Sequence, residues 1–171
     1  FESSCMAGWT AYNKLDALAM LPMQSISLAL TTFAGQNLGA GDLKRAKAGP
    51  RYGMLMGMAL MLLIIVPLMI FAPQLTMLFN AEPEVVAFGT LFIRLCSPFY
   101  VAFAINQVYS GALRGAGDTR PTMFIMLGSF VVFRQLYLFV AARLGAGPGL
   151  IALSYPVGWV LCSALLLVYY Y

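Results

Sequence analysis

The chain has 171 residues, of which 61% are hydrophobic and only 9% charged, and its net charge is +4. A soluble domain carries about 25% charged residues, so this composition excludes a water-facing globular surface and predicts an integral membrane protein. The chain has no histidine, which is the commonest general base and metal ligand. No nucleophile elbow or phosphate-binding loop is present either. We therefore expect no enzymatic activity, no metal site and no cofactor, and we attribute the positive charge to membrane topology rather than to a nucleic-acid partner.

The first predicted helix covers residues 5–37, and no charged residue occurs from Ala17 to Gly41. It is long enough to cross a hydrocarbon core of ~30 Å, with a kink at Pro22. One face carries residues at steps of three and four that we interpret as candidates for a substrate cavity: Asn13, Asp16, Met20, Gln24, Ser27 and Thr31. A polar stripe in a membrane must face protein or a wet cavity, and hydrogen bonding between helices without any ligand is the alternative.

Four more spanning helices follow in an all-α membrane fold. We predict a basic loop at 42–51, a helix at 52–79 and a short acidic connection, then a third helix at 85–114 with a bend near Pro98. The last two predicted helices cover 122–142 and 150–170. On the third helix, an aromatic and amide mixture is typical of a pocket for a flat ligand, although ordinary helix packing is an equal alternative. These candidates are Tyr100, Phe103, Asn106, Gln107 and Ser110.

A Gly-x-x-x-Gly-Ala-Gly-Asp sequence begins at Gly35 and recurs at Gly111, each time at the end of a predicted helix. The residues of interest are Gly35, Gln36, Asn37, Gly39 and Gly41 in the first copy, and Gly111, Arg114, Gly115, Gly117 and Asp118 in the second. Glycine permits both a left-handed turn after a helix and close helix packing in a membrane. Basic residues flank both copies, so the positive-inside rule predicts that both turns are cytoplasmic.

Four charged residues fall inside the predicted spans: Lys14, Asp16, Arg94 and Arg134. A lone charge near the bilayer centre costs at least ~2.5–3.5 kcal/mol, which favours inward-facing, paired charges. We therefore predict a buried charge network in which Asp16 pairs with Arg94 or Arg134. The alternative is that Lys14 and Asp16 extend to the outer interface.

The two glycine motifs, the first followed by Arg45-Ala46 and the second by Thr119, resemble those of multidrug and toxic compound extrusion (MATE) transporters. The acidic connection from Leu78 to Glu84 and Arg134 also fit this family. The resemblance implies a twelve-helix fold in two lobes, of which this chain is similar to helices eight to twelve. It further implies a multi-pass protein of the cell membrane that exports small organic cations in exchange for Na⁺ or H⁺ by alternating access.

By the same resemblance, the N-terminal lobe would be the chain's partner in the bilayer, and the start at Phe1 suggests a piece of a longer protein. Some members carry an acidic residue in the helix that matches 85–114, whereas this chain has none at Phe103-Ala104-Ile105. The site of the coupling ion is therefore expected in the N-terminal lobe, with Asp16 as a weaker candidate. Two other functions stay open: a lipid-linked saccharide flippase of the same superfamily, and a membrane scaffold that transports nothing.

Overall fold

In a computed structural model, which describes residues 3–145 and 147–171, the chain folds into helices without any strand among those residues. Five helical segments are long and apolar enough to cross a membrane, as the sequence predicts. They are Ser3–Gly39, Leu43–Ile70, Pro83–Gly115, Thr119–Arg143 and Pro148–Tyr170. The fold is therefore an all-α bundle of spanning helices.

The first two spans differ from the prediction mainly at the basic loop. Helix α1 is continuous over Ser3–Gly39 with Pro22 inside it. The predicted loop at 42–51 is wrong, because helix α2 (Leu43–Ile70) begins directly after Asp42. The Asp42 side chain accepts a hydrogen bond of 2.9 Å from the backbone N–H of Arg45, and such a cap satisfies a donor that the first helical turn leaves free.

The second span also ends earlier than the predicted residue 79. Helix α2 stops at Ile70, and a short helix, α3 (Ala72–Met77), follows after a break at Phe71. Proline explains the break, since Pro73 stands in the first turn of α3 and cannot continue the hydrogen-bond ladder of α2. The chain then turns through the acidic connection into the third span.

The third span is bent, as Pro98 predicts. It consists of α4 (Pro83–Cys96), a 3₁₀ turn at Ser97–Phe99 and α5 (Tyr100–Gly115). Pro98 lies in the 3₁₀ turn, and the Ser97 hydroxyl donates to the carbonyl of Ile93 at 2.5 Å. The bend lets α4 and α5 meet different parts of α1.

The last two spans are interrupted as well. The fourth comprises α6 (Thr119–Leu127), a π-helical turn at Gly128–Phe133 and α7 (Arg134–Arg143). Nothing in the sequence analysis predicted the π turn. The fifth comprises α8 (Pro148–Ala152) and α9 (Ser154–Tyr170).

Helix α1 is the centre of the bundle, because α2, α4 and α5 all contact it. Glycines bring these helices close: a Cβ on Gly53 would lie 2.6 Å from a methyl carbon of Leu30, and one on Gly57 would lie 3.0 Å from Met23 Cε. Gly53 and Gly57 therefore allow close packing of α2 against α1. Large buried side chains such as Phe92 and Tyr100 fill the rest of the core. The fourth span is peripheral and packs mainly on α9.

Candidate functional site

The two glycine motifs form the same helix-ending turn. Gly41 and Gly117 have φ values of +77° and +91°, which L-residues with a Cβ rarely adopt. After α1, the N–H of Asp42 donates to the carbonyl of Asn37 at 2.9 Å, and after α5 the N–H of Asp118 donates to Leu113 at 3.0 Å. With the matching bonds from Gly41 and Gly117, both turns are Schellman motifs.

These turns also lie side by side. A Cβ on Gly35 would lie 3.3 Å from the carbonyl oxygen of Gly115, so the first copy touches the second. A Cβ on Gly111 would lie 2.5 Å from the carbonyl oxygen of Ser27, and one on Gly115 would collide with the carbonyl of Thr31. The glycines are therefore required for backbone contact between α1 and α5 at the end of the bundle that carries the basic residues.

Hydrogen bonds complete this contact. The Ser27 hydroxyl donates to the Gln107 carbonyl at 2.6 Å and accepts from Arg114 Nη2 at 2.8 Å. The Thr31 hydroxyl lies within 3.0 Å of the Gly111 carbonyl. We call this set of residues the basic-end contact: Ser27, Thr31, Gly111, Arg114 and Gly115.

Several of the residues that we interpret as candidates for a substrate cavity lie in packed contacts instead. Ser27 and Ser110 are buried, and Ser110 donates only to the Gln107 carbonyl of its own helix, at 3.4 Å. Met20 is buried in the hydrophobic core. For Ser27 and Thr31, the structure matches the alternative of interhelical hydrogen bonding.

Two candidates of the third span face α9 instead of α1. The buried Asn106 amide donates to the Trp159 carbonyl at 3.1 Å and accepts from the Ser163 hydroxyl at 3.0 Å. The ring of Phe103 meets Trp159 edge-on, with centroids 5.7 Å apart. The sequence analysis missed Ser163 and Trp159, since partners on another helix leave no signal in the spacing of one helix.

A separate polar group lies at the opposite end of the α1–α5 pair. Tyr100, which is fully buried, donates to Asp16 Oδ1 at 2.6 Å, and Tyr12, one turn before Asp16, donates to the same oxygen at 3.1 Å. Among the described residues, Asp16 Oδ2 accepts no hydrogen bond. We call Tyr12, Asp16 and Tyr100 the Asp16 site. It holds a half-buried carboxylate with two neutral donors, so its charge is hydrogen-bonded but not neutralised.

The predicted ion pairs of Asp16 are wrong for this conformation. In the described part of the chain, neither arginine forms an ion pair with Asp16: Arg94 is exposed, and the Arg134 guanidinium lies 3.6 Å from the centroid of the Tyr155 ring. A row of aromatic rings separates the two charges, because Trp9 contacts both Tyr155 and Tyr12. Cation–π contact gives Arg134 an alternative to a carboxylate.

Lys14 follows the alternative that the sequence left open. Its side chain is exposed, and Nζ lies 5.4 Å from the centroid of the Phe79 ring, just beyond α3. Lys14 therefore extends along the protein toward the end of the bundle, as a long cationic side chain does near an interface. Asp16, by contrast, is held within the bundle by the two tyrosines.

A third group of polar residues occupies the outer face of α1. Gln24, Ser25, Thr32 and Gln36 are exposed, and Asn13 is half-buried. A shallow groove on this face is lined by Ser25, Leu28, Ala29, Thr32, Phe33 and Gln36. Of the groove residues, only Gln36 was a predicted site residue, as part of the first glycine motif. An amide or hydroxyl exposed on a spanning helix is unfavourable toward lipid, so this face is suited to protein or water.

The structure offers little for a metal. No group of three or more potential ligands among His, Cys, Asp and Glu occurs within residues 3–145 and 147–171. Cys5, Cys96 and Cys162 are buried as free thiols on different spans. Their role in this fold is packing.

Comparison with known protein families identifies the family of this helical bundle. A family model described as MatE matches residues 1–140, most of the chain. The chain belongs to the MatE family. This membership agrees with the five spans and confirms the resemblance carried by the two glycine motifs.

Three relatives illustrate the similarity. The probable multidrug resistance protein NorM of Thermotoga maritima is 28% identical over 152 residues, 85% of this chain and 33% of the relative. The probable multidrug resistance protein YpnP of Bacillus subtilis is 32% identical over 129 residues, 75% of this chain and 29% of the relative. The multidrug resistance protein MdtK of Yersinia pseudotuberculosis is 32% identical over 120 residues, which are 70% of this chain and 26% of the relative.

The chain thus spans a third or less of the length of these relatives. As a MatE chain with five spans, it is a multi-pass membrane protein.

Proposed function

We propose that this MatE chain is part of a secondary active transporter that exports cationic amphipathic compounds from the cell in exchange for Na⁺ or H⁺. Family membership and the multidrug resistance names of the relatives support the export of drugs. The five spans correspond in this proposal to helices eight to twelve, the larger part of a C-terminal lobe. An N-terminal lobe completes the transporter in the cell membrane, and movement between the lobes provides alternating access.

The observation that carries the proposal is the exposed polar face of α1. Gln24, Ser25, Thr32 and Gln36 stand on a helix that is otherwise apolar enough to span the bilayer. The hydroxyls of Ser25 and Thr32 donate to carbonyls of their own helix at 3.3 Å. Lipid would leave the amides of Gln24 and Gln36 without partners, whereas a wet path between two lobes would hydrate them. We assign this face, with its shallow groove, to the boundary with the N-terminal lobe and to the substrate path.

The Asp16 site supplies a candidate coupling group. The other acidic residues, Glu2, Asp42, Glu82, Glu84 and Asp118, all lie near the ends of the predicted helices, so Asp16 is the chain's one carboxylate well inside a span. It has two tyrosine donors and no ion pair in the described chain, which leaves the carboxylate able to exchange a proton or Na⁺. In the proposed transporter, Asp16 acts together with the coupling carboxylate expected in the N-terminal lobe.

Orientation follows from charge. Both Schellman turns and the basic residues around them occupy one end of the bundle. The positive-inside rule assigns this end to the cytoplasm. The Asp16 site then lies in the outer half of the membrane, and export would carry substrate from the turns toward it.

The test uses the full-length transporter in proteoliposomes, with a fluorescent organic cation as substrate and an imposed Na⁺ or H⁺ gradient. We expect gradient-driven transport of the dye, and Asp16→Asn is expected to reduce it about tenfold or more by removing one coupled charge. Glu82→Gln is the matched control, since Glu82 is exposed at a helix start and its side chain caps nothing.

Each outcome separates the alternatives. Wild-type rates and coupling in Asp16→Asn would remove Asp16 from the mechanism and leave the transporter assignment intact. Transport of a lipid-linked saccharide without transport of the dye would replace drug export by the flippase function. A full-length protein that transports neither would overturn the proposal in favour of a scaffold.

A further inference from the structure

A cavity of about 540 Å³ lies at the basic end of the bundle, away from the Asp16 site and from the outer face of α1. It is lined by residues of α1 and α5, the first turns of α2 and residues 169–171, and it is open on one side. Its volume is that of a small-molecule site. Most of its wall is apolar, and its polar groups are Lys47, Arg51, Asp118 and Tyr169–Tyr171. Neither the export of drugs nor the coupling ion requires this cavity.

The two cations of the cavity lack an acidic partner. Lys47 and Arg51 are four residues apart on α2, so their side chains project from one face, where like charges repel. Both are exposed, and neither forms an ion pair within the described ranges 3–145 and 147–171. Asp118 is the cavity's one carboxylate, so the lining has a net positive charge. An anion between the two cations would turn this repulsion into attraction.

Three consecutive tyrosines, Tyr169–Tyr171, form another part of the cavity wall. Tyr170 meets Tyr109 of α5 edge-on with centroids 4.9 Å apart, and the Tyr171 hydroxyl lies 3.5 Å from the Tyr109 hydroxyl. Tyrosine is typical of the membrane interface, where the ring is in contact with lipid and the hydroxyl with water or headgroups. Phenol groups add hydrogen-bond donors for an oxyanion to the two cationic side chains.

We propose that this cavity binds the phosphate headgroup of an anionic phospholipid from the leaflet on the basic side of the membrane. Basic pockets between spanning helices at this depth suit lipid phosphates electrostatically. The apolar lining from Leu38, Leu43 and Pro50 fits the glycerol and upper acyl region of a lipid better than a fully hydrated phosphate ion. The bound lipid would join α2 to α9, both of which pack on α5.

The experiment measures lipid retained by the full-length protein. Native mass spectrometry after purification from membranes of mixed composition counts phosphatidylglycerol and phosphatidylethanolamine molecules per protein. We expect the wild type to retain phosphatidylglycerol, and the double variant Lys47→Gln/Arg51→Gln to retain about tenfold less. The matched control is Lys44→Gln/Arg120→Gln, which removes two exposed charges from the same end without touching the cavity, and it is expected to retain wild-type amounts.

A second variant tests the cavity without changing any charge. Ala116 lines the cavity and is exposed, so Ala116→Trp fills the space without disturbing the core, and it should also displace phosphatidylglycerol. Equal loss in both double variants would overturn the proposal in favour of a diffuse basic surface. Retention in Ala116→Trp, or phosphatidylethanolamine bound as well as phosphatidylglycerol, would also overturn it.

Inorganic phosphate and glycerol 3-phosphate distinguish a lipid from a soluble ligand. In lipid-free detergent, we expect phosphatidylglycerol to raise the melting temperature of the wild type but not that of Lys47→Gln/Arg51→Gln. The two soluble phosphates should leave the melting temperature of both proteins unchanged. Stabilisation by inorganic phosphate alone would identify a soluble ligand and overturn the lipid assignment.

Discussion

The two ends of the contact between α1 and α5 use different chemistry. At the basic-end contact, backbones touch through Gly111 and Gly115, and the hydroxyls of Ser27 and Thr31 bond to carbonyl groups of α5. At the Asp16 site, the Tyr100 side chain joins α5 to α1, and the Asp16 carboxylate accepts two phenol hydrogen bonds. The first arrangement is rigid and leaves no room for a ligand. The second leaves a carboxylate oxygen available, which makes it the end suited to a change of charge.

One polar stripe on a membrane helix therefore serves two purposes. From its basic end to Ser27 the stripe fixes the distance between α1 and α5, and around Asp16 it offers a titratable group. Substitutions at the basic-end contact should therefore reduce stability, whereas those at the Asp16 site should change transport. Single substitutions at the two ends test this division.

Gly111→Ala should have the largest effect on stability. The new Cβ would meet the backbone oxygen of Ser27 at 2.5 Å, and a backbone cannot move aside as a flexible side chain can. We expect a loss of about 3 kcal/mol in the free energy of unfolding, the upper part of the usual range for overpacking. Chemical unfolding of the purified protein in detergent measures it. Gly39→Ala is the control, since no atom lies within 4 Å of its added Cβ, and an equal loss there would contradict the assignment.

Ser27→Ala should have an intermediate effect. It removes the acceptor of Arg114 and leaves a charged donor in a half-buried position, for which we expect a loss of about 1.5 kcal/mol. Ser25→Ala is the matched control, because the exposed Ser25 hydroxyl bonds only to its own helix, at Leu21. The same unfolding measurement should show less than about 0.5 kcal/mol for Ser25→Ala. A Ser27→Ala protein that stays folded but transports the dye more slowly than the wild type would show that the basic-end contact is not purely structural.

Tyr100→Phe should change stability least and transport most of the three. Asp16 keeps the hydrogen bond from Tyr12, so we expect a loss of about 1 kcal/mol in unfolding free energy. The dependence of dye transport on the Na⁺ or H⁺ gradient should shift, because the shorter bond to the carboxylate, 2.6 Å, is lost. Tyr12→Phe should cause a smaller shift, in keeping with its bond of 3.1 Å. Unchanged coupling in both variants would assign the Asp16 site to structure alone.

Much of the fold follows from hydropathy and from proline and glycine. The five spans, the bend at Pro98 and the left-handed turns at Gly41 and Gly117 depend on residue type and local sequence. The prediction of a basic loop at 42–51 was wrong, because clustered charges are typical of a loop, whereas the Asp42 cap starts a helix there. The π turn at Gly128–Phe133 had no local signal.

The candidate site was predicted only in part. Helical spacing correctly placed Ser27 and Thr31 on one face, but it could not tell a cavity from a hydrogen-bonded contact. The pairing of Asp16 with an arginine followed from the cost of a lone charge, yet Tyr100 from α5 and Tyr155 beside Arg134 offered neutral and aromatic partners instead. Which partner a buried charge takes depends on helices far apart in the chain.

Apolar length was enough to predict that this protein crosses a membrane in five spans. Glycine and proline at fixed positions predicted the turns at Gly41 and Gly117 and the bend at Pro98, and short motifs indicated the family, because these properties depend on local residue type. The contact between Gly35 and Gly115, the bond from Arg114 to Ser27 and the two tyrosine bonds to Asp16 became visible in the three-dimensional structure. It also decided that the cations of α2 share a cavity with the tyrosines of α9. The physical reason is that hydrogen bonds and cavities depend on distances between helices, and a spacing within one helix does not contain them.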